Sequence, residues 1–367
     1  MSATTSSDAT VSALFEPVTF GRIELANRIV MAPLTRMRAG EAGIPGELIA
    51  EHYRQRAGVG MITTEGTYPS ADSQSYVGQP GITTDEQAEG WRRVAEGVHA
   101  AGGRIVMQLM HGGRTSHPDL NGGRRVVGPS AVAIDGEVHT SKGKQAYVVP
   151  GEMTTDEIAA SVADHVAAAR RAVDAGLDGV EIHSANGYLL HQFLAPGSNR
   201  RTDAYGGSPA ARARFVVEVV TAVAAEVGAD RVGLRISPEH NIQDAFEPDH
   251  DDVLATYGTL LDQVRPLGLA YLSVLHHEPA GELVAELQRR FGGRLVVNSG
   301  FSTVTSVAEA AQILQAPFVD AVAVGRAVIA NPDLVVRWKH GHPQNELRAE
   351  LLYAPGPEGY TDYPVHA

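Results

Sequence analysis

Short runs of β-branched and aliphatic residues alternate along this chain with longer stretches in which apolar residues recur every three or four positions. The first pattern marks strands buried on both faces, and the second marks helices with one buried side. Strands are predicted at 28–33, 60–66, 104–110, 177–183, 231–237, 269–275, 294–300 and 320–326. Helices are predicted near 47–57, 85–101, 155–175, 209–227, 250–265, 281–291, 304–315 and 332–339. Thr84 with Gln87, and Thr154 with Glu157, have the spacing of capping boxes, in which each side chain satisfies a free backbone N–H of the other. Ser208-Pro209 and Asn331-Pro332 place an N-cap residue before a proline in the first helical turn.

Eight strand–helix units in about 300 residues define an α/β protein of the (β/α)8 type, a TIM barrel. A doubly wound sheet would show fewer strands and a nucleotide fingerprint; the lone Gly58-Val-Gly60 precedes a strand instead of opening a helix. The segment PVTFGRIELAN ahead of the first strand reads as a hairpin turning at Phe20-Gly21 and closing the bottom of the barrel. Two stretches exceed ordinary loop length, 111–153 and 340–367. The first follows the third strand and is expected to form a lid over the barrel mouth. Residues 1–13 are expected to be a disordered leader, with 14–367 forming one domain.

Composition narrows the chemistry. Hydrophobic residues make up 43% of the 367 positions and charged residues 20%, enough apolar surface for a large core. Cysteine is absent, which removes disulfides, thiolate metal sites and cysteine nucleophiles, so any redox chemistry needs a bound organic cofactor or non-thiolate ligands. A net charge of −13 makes nucleic acid a poor partner. No apolar run approaches the roughly 20 residues needed to cross a bilayer, so no membrane association is expected and a cytoplasmic location is.

In barrels of this type the C-terminal strand ends carry the chemistry, and here they are polar. The first strand ends in Pro33-Leu34-Thr35-Arg36, the second in Glu65-Gly66-Thr67 and the third in Gln108-Leu109-Met110-His111. The fourth ends in His183, followed by Asn186 and Tyr188; the fifth holds Arg235, the seventh ends at Gly300 and the eighth at Gly325-Arg326. Arg235 lies in an apolar run, so its charge needs a partner: either an internal carboxylate such as Glu181 or Glu65, or an anionic ligand. Spacing alone leaves both open. His183, Asn186 and Tyr188 are either satisfied strand-end groups or one pocket. The glycines of strands seven and eight either turn the chain or admit a phosphate, and their pairing beside Arg326 favours phosphate. His111, His183 and His191 could serve a metal-dependent barrel hydrolase, but none of the three stands in H-x-H or H-E-x-x-H spacing.

Several of these segments together resemble the Old Yellow Enzyme family of FMN-dependent ene-reductases, over about residues 14–364. They are LFEPVTFGRIELANRIVMAPLTR, QLMHGGR, EIHSANGYLLHQFLAPGSNRRTDAYGGS, the Arg235 strand, VGRAVIANPDL and GYTDYP. The resemblance implies noncovalent FMN in the barrel mouth. Pro33, Leu34 and Gly66 would meet the ring through the backbone and Thr35, Gln108 and Arg235 through side chains, with Gly300, Gly325 and Arg326 at the phosphate. It further implies that His183 and Asn186 bind the oxygen of an activating carbonyl or nitro group and that Tyr188 protonates the α-carbon. Tyr76, Met110 and Tyr360 would line the substrate pocket. Thr35 stands where one branch of the family carries cysteine, Met110 where members usually carry tryptophan, and Gly66 where alanine is also common. The implied enzyme is an NAD(P)H:flavin oxidoreductase reducing α,β-unsaturated carbonyl or nitro compounds, with nitrate esters as side substrates, working as a monomer or homodimer. A flavin protein that senses or stores without turnover is the remaining alternative, and the intact His183, Asn186 and Tyr188 set argues against it.

Overall fold

The computed structural model describes residues 11–366. Most of the expected leader lies outside these residues; Val11 packs against the core and Ala13–Phe15 forms a short 3-10 helix.

Strands β1 (Val18–Phe20) and β2 (Ile23–Leu25) form an antiparallel hairpin in which Phe20 faces Ile23. The turn is therefore Gly21-Arg22, one residue later than expected. Gly21 has φ 57°, and a Cβ there would stand 2.2 Å from the Asp230 carbonyl oxygen, so only glycine fits. Val18, Phe20, Ile23 and Leu25 are buried in one cluster with Val30, Met61, Val106, Tyr271, Val296 and Ala321, from the inner face of the barrel. The hairpin thus closes the barrel by hydrophobic contact.

The barrel proper uses β3 (Ile29–Met31), β4 (Met61–Thr63) and β5 (Ile105–Leu109). The segment after β5 carries four short strands, β6 (Val127–Gly128), β7 (Glu137–Thr140), β8 (Gly143–Ala146) and β9 (Gly151–Glu152). The barrel resumes with β10 (Gly179–Ser184), β11 (Val232–Ile236), β12 (Tyr271–Leu275), β13 (Leu295–Asn298) and β14 (Ala321–Val324). All eight barrel strands are parallel, and β14 pairs with β3 to close the ring. Each lies inside its predicted run except β10, which runs one residue further, to Ser184.

Helices Glu47–Gln55, Asp85–Ala100, Thr155–Asp174, Pro209–Val227, His250–Val264, Glu282–Phe291, Val307–Ile313 and Leu334–His340 occupy the predicted places. Both capping boxes form, and Ser208 accepts the Ala211 N–H. Asn331 does not cap: the last helix begins at Leu334, while the Asn331 amide accepts from the Asn345 N–H and donates to the Ala327 carbonyl. Two further helices, Leu189–Leu194 and Arg326–Ala330, follow the polar ends of β10 and β14 and are too short for periodicity to reveal.

The 111–153 segment is held over the barrel mouth. β6 pairs with β9 and β7 with β8, while Arg114 donates to the Gln243 carbonyl at 2.8 Å and the Asp135 N–H to Asp244 at 2.7 Å, in the loop after β11. The tail is pinned from beneath by Arg36 on the Gly359 carbonyl and Arg56 on the Tyr360 carbonyl. Among the described residues no helix is long and apolar enough to cross a membrane.

Candidate active site

Strand register sets the floor of the site. Glu181 pairs with Gln108 on one side and Gly233 on the other, and Gly233 pairs with Tyr271. A Cβ on Gly233 would stand 2.3 Å from the Tyr271 ring, so this glycine lets the phenol cross the barrel. Its hydroxyl donates to Glu181 Oε2 at 3.1 Å, and Gln108 Nε2 donates to Oε1 at 2.8 Å. Burial raises the Glu181 pKa, with Arg235, Gln108 and Tyr271 opposing the shift.

One level higher, Arg235 pairs with His183 and Ser273. It is 3% exposed and donates from Nη1 to Ser273 Oγ at 2.9 Å, while Nε is buried with no partner. Among the described residues, neither suggested carboxylate forms an ion pair with it. Glu181 is close enough only to raise its pKa against the larger, opposite effect of burial, and Glu65 accepts the Arg36 N–H instead. An internal salt bridge therefore does not account for this buried charge.

Above Arg235 a cavity of ≈ 280 Å³ opens between the ends of β3, β11, β13 and β14. Its walls include Pro33, Leu34, Thr35, Arg235, Gly300, Gly325 and Arg326, which brings together seven of the nine expected cofactor contacts. Gly300, at φ 94°, donates its N–H to Asn298 Oδ1. Arg326 Nη2 donates to the carbonyls of Phe301 and Thr303 at 2.6 and 2.7 Å, so it also holds the loop after β13 in shape. The other two expected contacts, Gln108 and Gly66, are buried outside this wall. Gln108 has committed an amide hydrogen to Glu181, and the Gly66 carbonyl accepts from Gln79.

The loop after β10 supplies the second half of the site. His183 is buried with Nδ1 unpartnered, and burial together with Arg235 and His191 pushes its pKa well below 6.5, so the ring is neutral at physiological pH. Asn186 takes φ 56°, is fixed by its N–H on Ser237 Oγ at 2.7 Å, and buries an unpartnered Oδ1. Gly187 follows at φ 77° and donates its N–H to His191 Nδ1 at 2.8 Å. Tyr188 brings its ring 5.0 Å from His183 and its hydroxyl 2.5 Å from that of Tyr76; burial pushes its pKa up to about 12. The metal alternative finds little footing, since His111 and His191 each spend Nδ1 on a backbone N–H. Among the described residues no group of three or more His, Cys, Asp or Glu side chains is arranged to hold a metal.

The pocket residues divide. Met110 is 2% exposed, and its thioether rests on Gly66. Tyr76 meets Tyr188 as described. Tyr360 does not reach the cavity: it is fully buried, stacked 3.9 Å from His52, with the Arg36 and Arg38 guanidinium groups over its ring. Tyr353, seven residues earlier in the same tail, lines the cavity in its place and is 63% exposed. Nothing in the local pattern separates the two tyrosines. Ser237 and Gln243 were also not anticipated. Glu181 had a usable signal, since a two-residue spacing puts it on the same strand face as His183.

A parallel barrel whose C-terminal mouth holds a buried, unpaired guanidinium, a neutral imidazole and a phenol, with no metal cluster among the described residues, is built for an organic anionic cofactor: the class is a barrel oxidoreductase. Residues 13–345 match the NADH:flavin oxidoreductase / NADH oxidase family, and the chain belongs to it. It is 39% identical over 363 residues to a probable flavin mononucleotide-dependent alkene reductase of Leishmania infantum, covering 96% of this chain and 98% of that one. A structure of morphinone reductase in complex with tetrahydroNAD superposes with a TM-score of 0.90 at 41% identity, over 97% of this chain and 98% of that one. The old yellow enzyme homologue from Zymomonas mobilis gives 0.90 at 36% identity, over 96% and 99%. The resemblance read from the strand-end motifs is borne out, and the chain is an FMN-dependent oxidoreductase of the ene-reductase type that uses a nicotinamide reductant.

Proposed function

We propose that the enzyme reduces the C=C bond of α,β-unsaturated carbonyl and nitro compounds in the mouth between Arg235 and Tyr188. The observation that carries this is a set of three buried polar atoms without partners among the described residues: Arg235 Nε, His183 Nδ1 and Asn186 Oδ1. Leaving such groups unsatisfied costs about 1–3 kcal/mol each, which a bound ligand offsets. Arg235 lines a cavity rather than a packed core, and His183 pairs in register with it on the neighbouring strand, so the residues present fit a planar anionic cofactor with a substrate beside it.

FMN, when bound, supplies the carrier that takes hydride from NAD(P)H and passes hydride to the alkene. In this reading it is held noncovalently. Arg235 and Thr35 would hold the ring, the fixed guanidinium stabilising the negative charge that reduction adds and the Thr35 hydroxyl supplying a hydrogen bond. Pro33, Leu34 and Gly66 offer backbone, and Gln108 offers its carbonyl oxygen. Gly300, Gly325 and Arg326 take the phosphate, where glycine permits close backbone approach.

His183 and Asn186 bind the carbonyl or nitro oxygen of the substrate. Among the described residues no hydrogen bond occupies either side chain, and the neutral imidazole carries one N–H to donate. Those bonds strengthen as the oxygen gains enolate or nitronate charge, which is the condition for accelerating the step. Tyr188 protonates the α-carbon, because a phenol raised to about 12 stays protonated at neutral pH. Reduction of nitrate esters belongs to the same chemistry. A cytoplasmic location, use of NADPH or NADH, and a monomeric or homodimeric state complete the proposal, consistent with a reductant drawn from the intracellular nicotinamide pool.

The test is anaerobic stopped flow in two halves: flavin reduction by NADPH or NADH, then reoxidation by enones, enals, nitroalkenes and nitrate esters. A flavin that neither nicotinamide reduces, or whose reduced form no activated alkene reoxidises, overturns the proposal.

A further inference from the structure

Asn186 holds a left-handed φ of 56°, a conformation that costs free energy in a residue other than glycine and needs support from its surroundings. Its amide oxygen is buried without a partner among the described residues, so the backbone decides where the side chain points. Support comes from both of its peptide groups. Its own N–H donates to Ser237 Oγ at 2.7 Å. The Gly187 N–H, which belongs to the peptide joining the two residues, donates to His191 Nδ1 at 2.8 Å. A backbone nitrogen can only donate, so this bond runs one way: Nδ1 carries no proton, and the neutral ring keeps its hydrogen on Nε2.

Nε2 lies 3.3 Å from Glu247 Oε1, within ion-pair range though outside hydrogen-bonding geometry, and the two side chains are 0% and 2% exposed. A buried carboxylate needs donors, and Glu247 has them from separate elements. The Tyr257 hydroxyl donates to Oε1 at 2.8 Å from the helix His250–Val264, and the Glu239 N–H to Oε2 at 2.8 Å from the loop after β11. The His191 Nε2–H stands beside Oε1. Ser237 and Glu247 bracket the same loop, in which Glu239, Asn241, Gln243 and Asp244 also take positive φ. Both holds on Asn186 therefore trace to the loop after β11, one directly and one through His191.

We infer that His191 is a positioning residue for Asn186, and that Glu247 keeps His191 in the tautomer which the turn requires. The inference rests on the proposal that Asn186 binds the substrate oxygen. Only an acceptor suits the place of Glu247 Oε1. In Glu247→Gln the Glu239 N–H claims the amide oxygen, which turns the amide NH2 towards the His191 Nε2–H. Either two donors then face each other, or the ring moves its hydrogen to Nδ1 and loses the Gly187 N–H. Both outcomes loosen the peptide that aims Asn186.

The experiment titrates oxidised holoenzyme with 2-cyclohexen-1-one, reading binding from the flavin absorbance without turnover. Reoxidation of dithionite-reduced holoenzyme by the same enone is then followed anaerobically. His191→Phe fills the space but accepts no hydrogen bond, and should weaken enone binding at least about fivefold with flavin content unchanged. His191→Asn places an amide oxygen near the position of Nδ1 and should recover binding to within about twofold of wild type. Equal weakening by the two variants would assign His191 to packing and overturns the inference. Glu247→Gln should behave as His191→Phe does, while Tyr257→Phe, which removes a donor from the same carboxylate without touching His191, should stay within about twofold. If His191→Phe yields no holoenzyme, this second pair decides, and equal effects of its two members overturn the inference. Asn186→Ala keeps the two readings apart. If that variant binds and reduces the enone as wild type does, the assignment of Asn186 fails. If it binds weakly and His191→Phe does not, only the role of His191 fails. In an Asn186→Ala background His191→Phe should cost nothing further, because it acts through Asn186, and a full additional loss rejects the positioning role.

Discussion

The sulfur of Met110 occupies the space that a side chain on residue 66 would need: a Cβ built on Gly66 would stand 2.5 Å from Met110 Sδ and 2.8 Å from its Cε. The two positions at which this chain departs from the usual family pattern are therefore one structural feature. A flexible thioether lies folded over a bare backbone, where a rigid indole would stand upright. On the proposal that Met110 walls the substrate pocket, that wall should yield, so bulkier β-substituted enones should be accepted, some of them in a flipped pose. A pose difference of ~1.4 kcal/mol changes a product ratio tenfold. Met110→Trp should lower the bulky-to-small rate ratio and move the enantiomer ratios. If both stay unchanged with flavin content intact, Met110 does not shape the pocket. Gly66→Ala should cost about 1–2 kcal/mol, because the flexible end of Met110 has to move and its Cβ, 3.2 Å away, has to give slightly.

Substitutions in the β10 loop should separate binding from proton transfer. His183→Ala or Asn186→Ala removes one of two groups with no other partner, and should weaken binding of phenolate-type ligands and slow alkene reduction by about tenfold to a hundredfold. Flavin reduction by the nicotinamide should change less. Since burial holds His183 neutral well below pH 6.5, enone affinity should not change between pH 8 and 6. Tyr188→Phe should spare flavin reduction and slow enone turnover. A His183→Ala/Asn186→Ala double variant that reduces cyclohexenone at the native rate rejects the assignment.

Purified protein should carry about one noncovalent FMN per chain, released by heat or acid. Arg326→Ala should weaken retention of the flavin at least about tenfold by two routes: it removes a cation from the mouth, and it frees the Phe301 and Thr303 carbonyls that Arg326 holds. Dialysis followed by flavin fluorescence of the filtrate measures this. Finding FAD, or full retention by the variant, contradicts the placement of the phosphate.

The barrel was readable because its strands are short apolar runs between amphipathic helices, and local pattern decides both. Strand-end chemistry was readable where parity fixes direction, as it does for Arg235 and His183 on adjacent strands. It was not readable where long-range contacts decide. Tyr360 and Tyr353 lie in the same irregular tail; one is drawn under Arg36 and Arg38 and the other left at the mouth, by partners more than 300 positions away. Asn331 carries every local mark of an N-cap, yet Asn345 and Ala327 claim its amide. Spacing could place Arg235 in a buried space but not name its partner, because whether Glu181 reaches it depends on Gln108 and Tyr271 having taken both carboxylate oxygens.

Beneath the site, Glu65 gives the fold a pH dependence whose sign can be stated. Its carboxyl is fully buried and accepts the Arg36 N–H through Oε2, while Oε1 has no partner. Burial raises its pKa from 4.5 to about 7 against the opposing influence of the Arg36 N–H and charge. Between these values the folded chain keeps a proton that the unfolded chain has lost, so this group's contribution to stability is full below about pH 4.5. It declines as pH rises towards 7 and stays constant above that. The slope is at most about 1.4 kcal/mol per pH unit. Glu65→Gln keeps an oxygen for the Arg36 N–H and cannot ionise. The variant should therefore gain stability relative to wild type by about 2 kcal/mol between pH 5 and pH 7.5. Chemical denaturation of both holoproteins at the two pH values provides the comparison, and the difference between them cancels the many other titrating groups they share. Identical differences at pH 5 and 7.5 would mean that Glu65 is ionised throughout, with the Arg36 guanidinium rather than burial governing its proton.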